Sequence, residues 1–506
     1  MKRKVKKFDI FLSVVTILGV SLGLIAFPEE TTAMINRVKD SSINVLSPFY
    51  QILALGIVIY CLFLCFSKYG DIRLGDKEPE YSTLSWLIMI FCTGMGSNLL
   101  YWSALEWIYY YISPPMGAEP GSIQAAELAV TYGGFHWSIT GWAIYAVGAV
   151  TLGLRYYNLK KPGLTLTASC DGVLKKITCN RLSERVIELL FLFGSIGGYT
   201  TMISFVIPMY CNNLSLLFGI ENTFLFQVSL ILIITLIFTI SSWTGLSRGI
   251  QKLSKLNIII AIFLIGFIIL AGPTMFIIKS TTNSLGYMMK NFIYMSLWTD
   301  FVENSGFTET WTSFYWAWWI GLAPSMWIFV TKISQGRKIR DILLGMMVTG
   351  SLGCWLYFGG ISNYGLYQQL TGRIDFVEIL SSLGPEQAVA QLVLSLPLGK
   401  IVLFIWTLTG IVFLITTMDS GAYILAVSTT LRLKVDETPT KNLRLFWSLF
   451  LVILPIGLMR AGAPMGALQA STVVTSIPLG FLTLLTLWSG IKYLKNENIN
   501  KKNRGH

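Results

Sequence analysis

Charged residues are scarce in this 506-residue chain: 13% are Asp, Glu, Lys or Arg, and 54% are hydrophobic. Soluble domains carry about a quarter charged residues, so a soluble globular body of this size would have too little polar surface. Disordered, collagenous, coiled-coil and disulfide-scaffold classes are excluded by the same composition. Histidine is scarcer still, with His136 and His506 as the full complement, so no Cys/His metal set can be assembled. The sequence has no His-x-x-x-His pair, P-loop, Gly-x-Ser-x-Gly elbow or carboxylate cluster, which argues against a membrane enzyme. Rings of like charge that would line an ion channel are missing too. Of the seven cysteines, Cys61, Cys65, Cys92, Cys211 and Cys354 lie in apolar runs and Cys170 and Cys179 in a polar loop. No structural disulfide is expected of them.

What is present is a series of long apolar runs. They begin near Phe11, Phe49, Leu84, Trp137, Val186, Phe224, Leu256, Trp311, Ile342, Ile401, Leu445 and Val473. A bilayer core of about 30 Å needs roughly 20 apolar residues per helix, so the fold class is an all-α polytopic membrane protein of twelve transmembrane helices. An even number puts both termini on one side. The segments on that side hold 31 of the 38 Lys and Arg, and the opposite loops hold seven. Positive loops stay cytoplasmic, so both termini are expected inside, in a cell (inner or plasma) membrane. The net charge of +12 then reflects topology, and no nucleic-acid partner is expected. The basic start and first apolar run end at Phe27-Pro28-Glu29-Glu30 without a cleavage site, which reads as an uncleaved first helix.

Embedded acids are few: Glu106, Glu188 and Asp419. A charge in hydrocarbon is costly, so each is a functional candidate, against the plainer reading of a cap or backbone partner. The aromatic residues are more informative. The run Trp311-Thr-Ser-Phe-Tyr315-Trp316-Ala-Trp318-Trp319 continues to Met326. At about 100° per residue, Trp311, Tyr315, Trp318, Trp319 and Met326 share a sector of roughly 100°. Trp316 and Trp327 point elsewhere, to lipid or to a packed helix. An interfacial belt explains most membrane tryptophans, but it does not line one helix face over two turns. A quaternary ammonium has no N–H to donate and is held by aromatic faces, Trp best. Tyr109, Tyr110 and Tyr111 beside Trp102 and Glu106, and the pair His136-Trp137, add further candidates. In Thr93-Gly94-Met95-Gly96-Ser97-Asn98 the close glycines predict either tight packing or an unwound stretch offering carbonyls, the latter favoured by Ser97-Asn98. Phe413, Thr416 and Thr417, with Asp419-Ser420-Gly421 after them, form a polar cluster suited to Na⁺ or to interhelical bonds.

Trp311 to Trp319, Gly94-Met95-Gly96, the Tyr109–Pro115 segment and Gly336-Arg337-x-x-Arg340 together resemble the betaine/choline/carnitine transporter family, over nearly the whole chain. The resemblance implies a ten-helix, leucine-transporter-like inverted-repeat core behind two peripheral helices. The segments would be 1–83 with the peripheral helices, 84–278 as the first five-helix repeat, 279–310 as a linker with an interfacial helix (281–298), 311–487 as the second repeat and 488–506 as a short basic tail. A homotrimer is implied as well. Substrate-binding residues would be Trp311, Tyr315, Trp318, Trp319, Met326, Tyr109 (or its neighbour Tyr110) and Trp137, the last near the mouth of the pathway. Met95, Gly96, Asn98, Phe413, Thr416 and Thr417 would serve ion binding or coupling, with Gly94 and Gly96 unwinding the helix. Sodium-coupled members of the family carry Gly-Met-Gly-Ile-Gly and proton-coupled ones place Asp at the last position, where this chain has Asn98. Ion-independent exchangers carry an arginine at the position of Asn257. Met326 is exchanger-like, whereas Pro324, Thr416 and Asn257 are carrier-like.

The reading is a secondary transporter of betaine-type quaternary ammonium compounds (glycine betaine, carnitine or choline), favouring Na⁺-coupled uptake. No cofactor is expected beyond Na⁺ as coupling ion. Two alternatives stay open: an ion-independent carnitine/butyrobetaine-type exchanger, and an amino-acid or amine carrier on the same fold in which the tryptophans only pack. The short tail argues against strong osmotic activation.

Overall fold

The computed structural model describes residues 5–94, 96–177, 181–244, 247–431, 433, 437–462 and 465–503. Among them there is no strand, only the isolated bridges Val5–Thr430 and Arg73–Lys338, and the chain is all-helical. Hydrocarbon offers the backbone no hydrogen-bond partner, so each span must satisfy its own peptide groups.

Helices α1 (Lys7–Ala26) and α2 (Pro28–Phe66) open the chain, Pro28 occupying the first turn of α2 where its missing N–H costs nothing. The next span is broken: α3 (Thr83–Gly94) and α4 (Gly96–Ile112) meet at 62°. Gly96 takes φ +30 there, a conformation costly for any residue with a Cβ. α5 (Ile123–His136) starts at Ser122, whose hydroxyl accepts the Ala125 N–H at 3.1 Å, and it stops where Trp137 and Ser138 turn the chain into α6 (Ile139–Gly153). α7 (Leu166–Ile177), α8 (Arg181–Phe218), α9 (Phe224–Thr244) and α10 (Ser247–Ala271) follow. At Gly272-Pro273 the chain bends by 110° into α11 (Thr274–Leu297), because proline cannot continue the ladder of N–H donors.

A wide turn over Thr308–Ser313 leads into α12 (Phe314–Ile333). α13 (Ile339–Leu344), α14 (Gly350–Tyr357) and α15 (Asn363–Leu370) form one long span jointed by two more wide turns. The short α16 (Phe376–Leu383) and α17 (Pro385–Leu394) precede α18 (Gly399–Ser428), α19 (Lys441–Phe450), α20 (Ile453–Arg460) and α21 (Met465–Asn503).

Length and composition give eight described stretches able to cross a membrane, or ten if each bent pair is one span, rather than the expected twelve. The two remaining sequence runs are α9, whose apolar part is the short Phe224–Ile240, and α12, whose indole and phenol groups lower its hydropathy. A crossing lined with polar-tipped aromatics is the kind that such a test undervalues.

Two packing features position the interior. α12 lies against α6, where glycines make room for tryptophans. A Cβ on Gly141 would come within 2.2 Å of the Trp319 ring, and one on Gly148 within 2.0 Å of Trp327. At the other end of α12, Gly336-Arg337-x-x-Arg340 closes a clasp. Gly336 N–H donates to Leu74 O (2.8 Å), Ile339 N–H to Ile72 O (2.9 Å), Arg337 to Tyr81 O (2.6 Å) and Arg340 to Cys65 O (2.8 Å). The Arg337 guanidinium also lies 4.4 Å from the Trp86 ring centroid. Beside it the Lys338 hydrogen bond, with Arg340 near, holds the Asp71 carboxyl below its usual range.

Candidate functional site: an aromatic box beside an oxygen cradle

Four aromatic side chains, one from the α5–α6 turn and three from α12, converge inside the helices. Trp137, at the α5–α6 turn, has its ring centroid 5.6 Å from Tyr315, 6.0 Å from Trp318 and 6.1 Å from Trp319, in edge-to-face contacts. Tyr315 and Trp318 lie 6.2 Å apart. Trp311 sits one turn before them, 5.3 Å from Tyr109 and 4.9 Å from Tyr110. All but Tyr109, which is partly covered, are buried. Met326 lies deeper along α12, and a Cβ on Gly94 would be 3.5 Å from its methyl group. The stripe of α12 therefore runs from Trp311 down to the break between α3 and α4.

A carboxylate stands behind the box. Glu106 is fully buried on α4. Its Oε2 accepts the Tyr315 hydroxyl at 2.7 Å and the Trp137 indole N–H at 2.9 Å. Its Oε1 accepts the Tyr110 hydroxyl and lies 3.4 Å from His136 Nδ1. His136 Nε2 is 3.1 Å from Thr312 Oγ1, and its ring stacks on Tyr315 at 4.8 Å. Tyr110 thus belongs both to the ring contacts of Trp311 and to this network. Trp319 is fixed by a separate bond from its indole N–H to His136 O (3.1 Å).

The cradle lies at the α3–α4 break, against α18. Gly96 faces Phe413 and Thr417, a Cβ there meeting Thr417 Oγ1 at 3.0 Å. Thr416 and Thr417 donate to Phe413 O at 2.9 and 3.0 Å, and Thr417 reaches Cys92 O at 3.4 Å. Hydroxyls used as donors keep their lone pairs for a hard cation. Ser97 donates to Gly410 O (2.8 Å) and Asn257 to Thr409 O (3.0 Å), so both flanks grip α18. Asn98 is buried and its Oδ1 has no hydrogen-bond partner. Met95, grouped with the cradle from the sequence, lies outside the described residues.

Several residues were not singled out from the sequence. Trp142 and Tyr145 on α6 complete the wall behind Trp319, at 6.0 and 4.6 Å. Trp102, already named from the sequence, backs Trp311 and Tyr315 at 5.9 and 6.2 Å, and Phe205, which was not, backs Trp102 at 5.0 Å. The available signal was Gly141 and Gly148, two turns apart, a spacing that cuts a groove for large side chains. Trp316 and Trp327 lie off the box and are buried against protein, Trp327 donating to Ile144 O at 2.8 Å, which selects packed helix over lipid. The other two embedded acids have ordinary partners. Glu188 accepts from the Thr167 N–H (2.9 Å) and faces Lys6 (3.5 Å), and Asp419 is 3.5 Å from Arg444. The six described cysteines are free and buried, and Cys179 lies outside the described residues. No group of metal-ligating side chains occurs among the described residues.

The family described as BCCT, betaine/carnitine/choline family transporter, matches residues 10–499. An uncharacterized transporter, YeaV, of Escherichia coli is 38% identical over 88% of this chain and 92% of its own. A carnitine transporter of Acinetobacter baumannii is 35% identical over 96% and 89%. A glycine betaine transporter of Acinetobacter baylyi is 30% identical over 97% and 74%. The chain belongs to the betaine/carnitine/choline transporter family and is a polytopic membrane transporter, not an enzyme.

Proposed function

We propose that the protein takes up betaine-type quaternary ammonium compounds with Na⁺, the trimethylammonium group sitting in the box of Trp137, Tyr315, Trp318 and Trp319. The observation that supports this most is the convergence of those rings from the α5–α6 turn and α12, with no lysine or arginine among their described contacts. Aromatic faces attract an ammonium by roughly 0.5–2 kcal/mol per desolvated contact, and several contacts give useful affinity without a directional bond. The three mutually touching rings, 5.6 to 6.2 Å apart, leave no room for a trimethylammonium group. Substrate must therefore displace one ring, and intrinsic fluorescence should change on binding.

Na⁺ is the co-transported ion in this reading. Phe413 O, Thr416 Oγ1, Thr417 Oγ1 and Cys92 O supply the oxygen-only set a hard cation prefers, and the unpartnered Asn98 Oδ1 lies on the first turn beyond the break. Because Glu106 on α4 holds two rings of the box and the cradle lies at the start of the same helix, an ion there stabilises the arrangement that receives substrate, and by linkage substrate tightens the ion. Alternating access would move residues 84–278 against 311–487, with 279–310 as linker, both termini in the cytoplasm and a homotrimer as the assembly.

A second reading, ion-independent exchange, is favoured by Met326, which lies further along α12 and would meet the far end of a substrate held by Trp318 and Trp319. Binding of glycine betaine, carnitine, choline and a primary-amine amino acid, read by tryptophan fluorescence with and without Na⁺, tests both readings. The proposal expects Na⁺-dependent binding of the trimethylated compounds alone. Na⁺-indifferent binding of carnitine supports exchange, and selective binding of the amino acid overturns the ammonium reading.

A further inference from the structure

The sequence suggests that aromatic rings stand in for carboxylates missing from the interior. The structure instead puts a carboxylate in direct contact with two of those rings. Tyr315 and Trp137 aim their O–H and N–H at the same oxygen, Glu106 Oε2 (2.7 and 2.9 Å), while Tyr110 donates to Oε1. An indole N–H can only donate, so this oxygen is an acceptor, and the carboxyl group collects hydrogen bonds from three donors. Among the described residues the ion-pair partner within reach is His136 alone, at 3.4 Å with both side chains fully buried. A membrane-interior charge normally has a counter-charge, and none of the described lysines or arginines provides one.

We infer that Glu106 is a specificity-determining residue: its charge acts on the substrate cation through Tyr315 and Trp137, so that the box selects a cation over a neutral group of the same shape. This rests on the quaternary-ammonium reading. Two physical effects carry it. The carboxylate attracts a cation directly through a medium of low dielectric constant. Hydrogen bonds from the phenol and indole to an anion are charge-assisted and leave both rings more electron-rich, which strengthens the faces that contact the ammonium. The ring faces favour a cation over its neutral isostere, and the charge behind them sharpens that preference.

The test compares glycine betaine with 3,3-dimethylbutyrate, in which carbon replaces the ammonium nitrogen, by equilibrium binding to the purified full-length protein. Wild type should prefer betaine. Glu106→Gln, which keeps the size and an acceptor oxygen, should lower betaine affinity tenfold or more and leave affinity for the isostere unchanged or raised. Equal loss for both ligands would make Glu106 merely structural and overturn the inference. Should Glu106→Gln fail to assemble, Tyr315→Phe and Trp137→Phe keep a ring and remove one donor each. Each should reduce the betaine-to-isostere ratio several-fold, and an unchanged ratio in both would overturn the inference. Wild type that prefers betaine while the variants do too sinks only this inference. Wild type that does not distinguish the ligands sinks the ammonium box itself.

Discussion

The box and the cradle both bear on helix α4 but are held together differently. In the box, polar tips bond across helices: Tyr315 and Trp137 to Glu106 on α4, and Trp319 to His136 O on α5. In the cradle, Thr416 and Thr417 bond back to Phe413 of their own helix, and one long contact, 3.4 Å to Cys92 O, crosses to α3. The box is fastened before a ligand arrives, whereas the threonine hydroxyls of the cradle keep lone pairs beyond the bonds they donate. Fastened tips confine the reorganisation on binding to the one ring that substrate displaces. A loosely closed cradle gives a site whose occupancy can change the conformation.

Substitutions that separate these two regions should have graded effects. The largest is expected for Trp318→Leu and Trp319→Leu, which should reduce glycine betaine binding at least 100-fold in a fluorescence or calorimetric titration while the protein still purifies as assembled. Betaine affinity that survives both changes would end the cation–π account. Next is Gly141→Ala. Its methyl group would collide with the Trp319 ring, and overpacking of that kind costs about 1–3 kcal/mol. Thermal unfolding in detergent should show the loss, together with weaker substrate binding. Gly19→Ala, with nothing within 4 Å of its Cβ position, should change neither.

The cradle should respond in the complementary way. Thr417→Val removes an oxygen and should raise the Na⁺ concentration for half-maximal uptake about tenfold, a loss of roughly 1.4 kcal/mol. Substrate affinity at saturating Na⁺ should change little. Equal damage to both constants would mean that the two regions are one site rather than two coupled ones. The smallest effect is expected for Tyr110→Phe. It removes one donor from Glu106 but keeps the ring against Trp311, and should weaken betaine binding by only a few-fold.

The helical class and the aromatic stripe on α12 were legible because both depend on local pattern, composition for one and period for the other. Gly96 marked the break for the same reason, since its positive φ excludes most other residues. Helical periodicity fails at the Thr308–Ser313 turn, which is wider than an α-turn, so the 100° rule misplaces Trp311 relative to Tyr315. It also cannot say what lies opposite a side chain. Trp327 lies outside the stripe in sequence, yet only the fold reveals Gly148 against its ring. Glu106 could be picked out as an embedded acid, but its partners come from α4, α5, the α5–α6 turn and α12. Such long-range convergence leaves no spacing to read. The crossing count suffered from the reverse problem: the polar-tipped aromatics of α12 make it look less like a membrane helix.

The coupling of box to cradle is tested most directly by uptake of labelled glycine betaine into proteoliposomes. An inward Na⁺ gradient should drive accumulation above equilibrium, and replacing it with a K⁺ gradient of the same size should abolish accumulation. Uptake that ignores Na⁺ and occurs only into vesicles preloaded with unlabelled substrate would contradict the account, leaving the box as the site of an exchanger and the cradle as ordinary helix packing.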